Sequence, residues 1–551
     1  MINRNNPLFV RTPLQTKLFP CDDKYNAREI SDLQESWAEV IKNTVLPLFG
    51  KLEIVFAKYY HKTMGRPIKY ISLLIVLHVF REMYDWTDEE MLENVRFDKR
   101  FEYAFDLPYE ELTVCQKTLH NFRALLQTHE IASTIFDKAT GYIAKAFNID
   151  TSQQRLDSTH IVSNMARLSR LALFVRVTEN FLYKLKKIDP EGYDSLPSRF
   201  RERYAKRRGY FADARSKKTK HRLGEVAKDM YDLLDRFFDS EEISSLKVTL
   251  QLKRVFDEHC KIETDIVIVK EPKELPPRTL QNPSDEDVTC GYKGSGYEAT
   301  FAETCSKENP FQVITDTQTD PSDQSDQHKT LKVAGRLENK DMKPKVLYTD
   351  GGFTSGDNIV ECDEKDIDLQ GNLVGADKNP DKLKLADFEF DPDGITTISC
   401  PAGEKPAGQR KVKARKSKSK SRQMFLVHFD LDTCKNCSLL DRCPVKLQKK
   451  KAVLRFSRSQ LATSLRRREQ ETQIFKERNN IRAGIESINA EMKKSQGLGR
   501  LRVRGQPRVD QTVVFKALAC NIKRMVKYVQ SLPKCEPTLH PGVYFNLNLK
   551  K

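Results

Sequence analysis

The feature that most constrains this chain is a short β-rich run, QRLDSTHIV at residues 154–162, lying between two long helical stretches. It carries one acidic residue, Asp157, among apolar neighbours, where an ionised carboxylate costs free energy unless something compensates it. β character returns at Ile266–Val269, Tyr297–Thr304 and Phe311–Thr317, with Gly, Pro, Asn and Asp between them. A helix opens near Asp323–Leu331. Val346–Thr349 then forms a compact apolar strand running straight into Asp350-Gly-Gly, and Ile367–Val374 reads as one more strand. Strands, a helix, a strand and later a long helix make an α/β core, with a large helical insertion at 164–262 after its first strand.

Upstream the pattern is helical. Residues 1–63 read as a lead-in with a helix near 30–42, and 64–148 as a helical DNA-binding domain. Gly65-Arg66-Pro67 opens a run with Leu73, Leu74, Leu77 and Phe80 at helical spacing. Thr87-Asp-Glu-Glu90 and Thr113-Val-Cys-Gln116 read as capping boxes. The second starts a helix carrying Leu119, Phe122 and Leu125, with His120, Asn121 and Arg123 between them. Short, tightly joined helices whose last member is polar on one face suit a helix-turn-helix reader, and suit a plain helical bundle equally well.

At 551 residues the chain is long enough for roughly three or four domains. Its 94 Lys+Arg against 77 Asp+Glu leave a net charge of +17, which favours a polyanionic partner. Three basic regions, 206–222, 410–422 and 493–508, are each ordinary solvated surface alone. Around one carboxylate site they outline a path for a DNA backbone, to which Lys493, Lys494, Arg500, Arg502 and Arg504 belong. The N-terminus lacks the apolar core of a signal peptide, and the longest apolar stretch, Ile68 to Phe80, is too short and too interrupted to span a bilayer. A cytoplasmic location without a membrane partner follows by default.

A reducing compartment argues against reading the twelve cysteines as a disulfide framework. Cys434-Lys-Asn-Cys437, then Cys443, with Cys400 upstream, is a plausible four-thiolate set for structural Zn²⁺ or a [4Fe–4S] cluster; unliganded thiols are the plain alternative. Such a site would staple an inserted basic and cysteine-containing subdomain at 377–456. The core then spans 149–376 and 457–530, and 531–551 is a tail.

Asp350 stands at the carboxyl end of a strand, where open α/β sheets bind ligands. Glu486 lies in IRAGIESINAEMKK, a helix with Ile481, Ile485 and Ile488 on one face. Singly, a strand-end Asp is a turn former and a helical Glu is solvated. In order, however, RLDST, YTDGG and Arg482-x3-Glu486-x6-Lys493 resemble the DDE transposases of bacterial insertion sequences, especially the insertion sequence 1182 family. The similarity runs from about 60 to 530. The family's Tyr three residues before the Arg is Asn479 here.

That resemblance implies an RNase H-like core, a mixed sheet flanked by helices, with helical and cysteine-containing insertions and an all-α N-terminal domain. It implies that Asp157, Asp350 and Glu486 hold two Mg²⁺ ions, with Mn²⁺ able to substitute and Asp157 bridging the pair. Two ions held by hard oxygen ligands can stabilise the attacking oxygen, the phosphoryl group and the leaving oxygen together. The implied activity is cleavage that frees a 3′-OH at an element end, then strand transfer into target DNA, with Arg482 and Lys493 on flanking phosphates. The implied partners are double-stranded DNA, as terminal inverted repeats and target, and at least one further copy of the chain. The implied location is cytoplasmic and nucleoid-associated. Two readings from other classes stand beside this one: a two-metal nuclease that hydrolyses without joining, and a DNA-binding protein that has lost its chemistry. Glu491 is the nearest substitute should Glu486 not be the third carboxylate.

Overall fold

The computed structural model describes residues 24–59, 70–107, 112–204, 219–276, 278–375, 379–392, 395–412 and 423–532. Most of the basic runs 206–222 and 410–422, and Gly65-Arg66-Pro67, lie outside the described residues.

Between residues 24 and 147 the described elements are helices. Helix α1 (Ala27–Glu35) starts at a reciprocal cap between Asn26 and Glu29, and the helix expected over 30–42 breaks at Ser36, whose side chain accepts the Ala38 N–H and starts a new segment. α2 (Ile71–Met83) is apolar almost all round and is buried accordingly. α3 (Asp88–Phe97) begins with the expected Thr87–Glu90 capping box, both hydrogen bonds being made. α4 (Lys99–Phe105) leads to α5 (Gln116–Thr128). The capping box expected at Thr113–Gln116 does not form: Cys115 is the cap, its thiol meeting the Thr118 hydroxyl (3.3 Å) without capping the helix, and the Gln116 amide donates to Glu89 of α3. α6 (Ile131–Ala146) closes this part.

The central sheet follows. β1 (Gln153–Ile161) alternates half-exposed and buried residues through Ser158, the pattern of a strand with one core face. It lies between β5 (Gly294–Thr304), antiparallel, and β7 (Val346–Thr349), parallel. β6 (Ile314–Pro321) pairs with β5, and β8 (Asp368–Gln370) extends the sheet beyond β7. The resulting order is β6-β5-β1-β7-β8, with the short β4 (Thr289–Gly291) on the early residues of β5. α10 (Gln327–Asn339) joins β6 to β7, and α11 (Gly356–Asp363) joins β7 to β8.

The insertion after β1 contains α7 (Arg170–Ile188), α8 (Thr219–Phe237) and α9 (Lys247–His259), which bury a hydrophobic core of their own. Ile266–Val269, expected among the core strands, is instead β3 of a hairpin with β2 (Cys260–Glu263) on this insertion. Thr264 and Asp265 both have positive φ, the geometry of a two-residue turn that pairs a strand with its immediate neighbour. A third core belongs to a four-stranded sheet of β9 (Gly408–Val412), β10 (Met424–Phe429), β11 (Lys446–Leu447) and β12 (Ala452–Ser457).

The long helix expected from 457 to 497 is four pieces. α12 (Arg458–Glu469) stops, Thr472 caps α13 (Gln473–Asn479), a 3-10 turn covers Asn480–Ala483, and α14 (Gly484–Ser495) follows. α15 (Gln506–Ser531) then packs against α2, α6 and β6. One continuous hydrophobic cluster runs from Leu33 through α2 and the sheet to Val526, so the N-terminal helices and the sheet share a core.

Candidate active site

Parallel pairing brings the two aspartates together. Leu156 of β1 is in register with Thr349 of β7, so the next residue on each strand, Asp157 and Asp350, stands at the same level on neighbouring strands. Asp350 leaves the sheet in a tight turn: the Phe353 N–H donates to its carbonyl (3.1 Å), and the Thr354 hydroxyl does the same (3.2 Å). Gly351 is needed for space, since a Cβ there would lie 2.8 Å from the Val374 side chain and 3.0 Å from the Asn372 carbonyl.

Asp157 is half-buried and Asp350 exposed. The Ser158 N–H donates to Asp157 Oδ1 at 2.8 Å, and Asn489 Nδ2 of α14 donates to Oδ2 at 3.2 Å. Burial pushes the Asp157 carboxyl up to about 6, and the charge of Asp350 pushes the same way. The Ser158 hydrogen bond and the positive charges of Arg482 and Lys293 oppose the rise. Lys493 faces the same carboxylate: burial and Lys293 lower its pKa, while Asp157 raises it.

Glu486 lies one turn before Asn489 on α14 and is 67% exposed, paired with Arg482 at 3.7 Å. Arg482 belongs to the 3-10 turn rather than to the helix of Glu486, yet the two side chains still meet. Among the described residues no three Asp, Glu, His or Cys side chains stand close enough to hold a metal ion. The two aspartates are adjacent, and Glu486 turns toward Arg482.

Several residues here gave no signal in the sequence. On the other face of β1 the Ser158 hydroxyl donates to Asp326 at 3.2 Å. Asp326 in turn accepts from Lys329 (2.8 Å), a buried ammonium that also donates to Glu298 of β5 (2.7 Å). His160 is half-buried with both ring nitrogens unpartnered, its pKa lowered by burial and by Arg167, Lys293 and Lys493. Asn489, Lys293 and the Asp326–Lys329–Glu298 group come together only through the fold.

The candidate DNA contacts divide. Lys493, Lys494 and Arg500 are exposed. The segment around Arg500 is stitched to the continuation of β1, with the Val162 N–H donating to Gly499 O (3.2 Å) and the Leu501 N–H to Val162 O (2.8 Å). Arg502 pairs with Asp85 (3.3 Å) and Arg504 donates to the Asn164 carbonyl, so both dock this segment while staying exposed. In α5, Arg123 is committed to Asp88 (2.8 and 2.5 Å), leaving His120 and Asn121 as exposed polar residues.

Cys400, Cys434, Cys437 and Cys443 are free thiols, and three of them pack at the edge of the third core. Burial pushes the Cys434 thiol up to about 11, with Cys400, Cys443 and Cys437 adding to it. The fold therefore brings the four into one neighbourhood, although not into a closed cage. Among the described residues no helix is long and apolar enough to cross a membrane.

Residues 399–526 match the family described as a transposase DDE domain, and residues 27–125 match the one described as a transposase domain (DUF772). No curated protein and no solved structure matches the chain. The first match contains Arg482, Glu486 and Lys493; Asp157 and Asp350 fall between the two matches, where strand register alone joins them. Together the two matches indicate a DDE transposase of insertion-sequence type.

Proposed function

We propose that this transposase binds the ends of its element and carries out Mg²⁺-dependent cleavage and strand transfer at Asp157, Asp350 and Glu486. The observation that carries the reading is the register of β1 and β7, which makes Asp157 and Asp350 neighbours, with α14 laid against Asp157 through Asn489. The strand order, an antiparallel meander of β1, β5 and β6 joined through β1 to parallel β7 and β8, supports an RNase H-like core, and the match of residues 27–125 to the transposase domain (DUF772) fits kinship with the insertion sequence 1182 family.

The donor set suits a hard divalent cation. Asp157 and Asp350 offer carboxylate oxygens at the same level on neighbouring strands; burial first and the charge of Asp350 after it raise the Asp157 pKa, and a cation between them would offset both. Asp157, Asp350 and Glu486 would hold the ions, which supply charge stabilisation on the phosphoryl group and the oxygens entering and leaving it. Arg482 restrains Glu486 at the rim. Asn489 orients Asp157 by donating to Oδ2. Lys493 and Lys293 add positive charge where scissile-strand phosphates would lie, and Lys494, Arg500, Arg502 and Arg504 continue that charge along the segment docked on β1. End recognition falls to the exposed residues of α5, His120 and Asn121. Two copies on paired ends are the working assembly, in the cytoplasm on the nucleoid.

A pre-cleaved end carrying a free 3′-OH, incubated with supercoiled plasmid and Mg²⁺, tests the reading. Joined product supports a transposase, whereas hydrolysis alone makes the chain a nuclease. Asp157→Ala, Asp350→Ala and Glu486→Ala should each abolish cutting and joining while end DNA is still retained in a mobility-shift assay. Activity retained by Glu486→Ala would move the third role to Glu491.

A further inference from the structure

Gly484 opens α14 at φ −61 and ψ −22, ordinary right-handed helix that any residue adopts. A glycine there gains nothing conformationally, and alanine would suit the same backbone at least as well. The space around it is different. A Cβ at 484 would stand 1.8 Å from Arg155 Nη1 and 2.7 Å from its Cζ. An arginine tip normally swings aside, but this one is held. Its Nε donates to Glu303 at 2.6 Å, and Glu303, directly across from Arg155 in the β1–β5 register, is fully buried. Glu303 is held in turn by Arg524 of α15 at 2.5 Å. Arg155 Nη1 also donates to the Ile481 carbonyl, in the turn just before α14, at 3.3 Å.

Arg155 is two residues before Asp157 on the same side of β1. One strand thus carries Asp157 and, one step back, the flat guanidinium on which the first turn of α14 rests. We propose that Arg155 is a positioning residue for Glu486: clamped by Glu303, it seats α14 at a height that only glycine at 484 permits, and so sets the level at which the helix carrying Glu486 lies beside β1. This rests on the proposed role of Glu486 and adds to it the device that fixes its place. Arg155 touches no reacting group.

The test uses the full chain and Mn²⁺ alone as probe, its binding followed by electron paramagnetic resonance, alongside cleavage of end DNA over a Mg²⁺ titration. Gly484→Ala should weaken Mn²⁺ binding and raise the half-saturating Mg²⁺ by about 10-fold to 100-fold, the usual effect of disturbing a residue that orients a ligand. Amide-exchange protection of the central sheet and end-DNA retention should be unchanged, which a generally damaged fold would not allow. In an Arg155→Ala background, where the clash is gone, Gly484→Ala should add nothing further. Wild-type Mn²⁺ affinity in Gly484→Ala would overturn the proposal, as would penalties of Gly484→Ala and Arg155→Ala that simply multiply. Glu486→Ala separates the two levels. If it binds Mn²⁺ and cuts like wild type, the third carboxylate is misassigned and the seat falls with it; if it is inactive while Gly484→Ala is normal, only the seat is wrong.

Discussion

Asp157→Asn should stabilise the metal-free protein, and by an amount the site itself sets. The folded chain raises this carboxyl from 3.8 to about 6, so it holds the proton more tightly than the unfolded chain does. The stability linked to that proton is fully present at acid pH and is lost as pH rises through about 6. At about 1.36 kcal/mol per pKa unit, ionised Asp157 costs about 3 kcal/mol at pH 7.5 and about half of that at pH 5. The amide removes the charge and keeps the contacts: its oxygen accepts the Ser158 N–H, and its NH₂ meets Asn489, whose Oδ1 has no partner and can accept after the Asn489 amide turns over. A single melting temperature is ill-defined for a chain with three separate cores. The assay is therefore amide exchange of β1 and β7, variant against wild type, at each pH. The variant should exceed wild type by about 3 kcal/mol at pH 7.5, with the gap halving at pH 5. Saturating Mg²⁺ should close the gap at neutral pH by protecting wild type alone. Equal protection at pH 7.5 would refute the argument, and so would a gain that does not change with pH, since that gain would come from packing.

Two further outcomes follow from buried charge and from the thiols. Glu303→Gln leaves Arg155 and Arg524 facing a neutral amide and should cost about 3–5 kcal/mol, read as lost exchange protection in β1, β5 and α15. Metal analysis of the purified chain decides the cysteine neighbourhood: one zinc ion or one iron–sulfur cluster per chain is the expected content, lost in Cys437→Ser together with order in the β9–β12 sheet. A metal-free chain with that sheet intact makes the four thiols ordinary packing.

What was legible in the sequence was local, and what was not depended on contacts between distant segments. Asp157 and Asp350 could be found because a strand has a period of two and a strand end followed by glycines has few alternatives. Their meeting could only be expected; it needed the parallel pairing of segments nearly two hundred positions apart. Asp326, Lys329 and Glu298 carry no signature as a group: Asp326 and Lys329 stand three residues apart at the start of one helix, but the second carboxylate, Glu298, comes from β5, and no spacing specifies it. Thr113 had the letters of a cap, yet the helix begins where Gln116 reaches Glu89 on another helix, a tertiary bond outweighing a local preference. Arg482 and Glu486 meet although no single helix contains both. The helix expected to contain both is broken between them, and because three residues complete a 3-10 turn against 3.6 in an α-helix, a spacing of four lines the side chains up less well than a continuous α-helix would; the long arginine closes the distance, to 3.7 Å. A motif of this kind therefore tolerates a local change of helix type. Under the proposed seat it does not tolerate a change beneath the helix, and the glycine at 484, invisible as a motif, is where an added Cβ would meet Arg155 and shift the helix that carries Glu486.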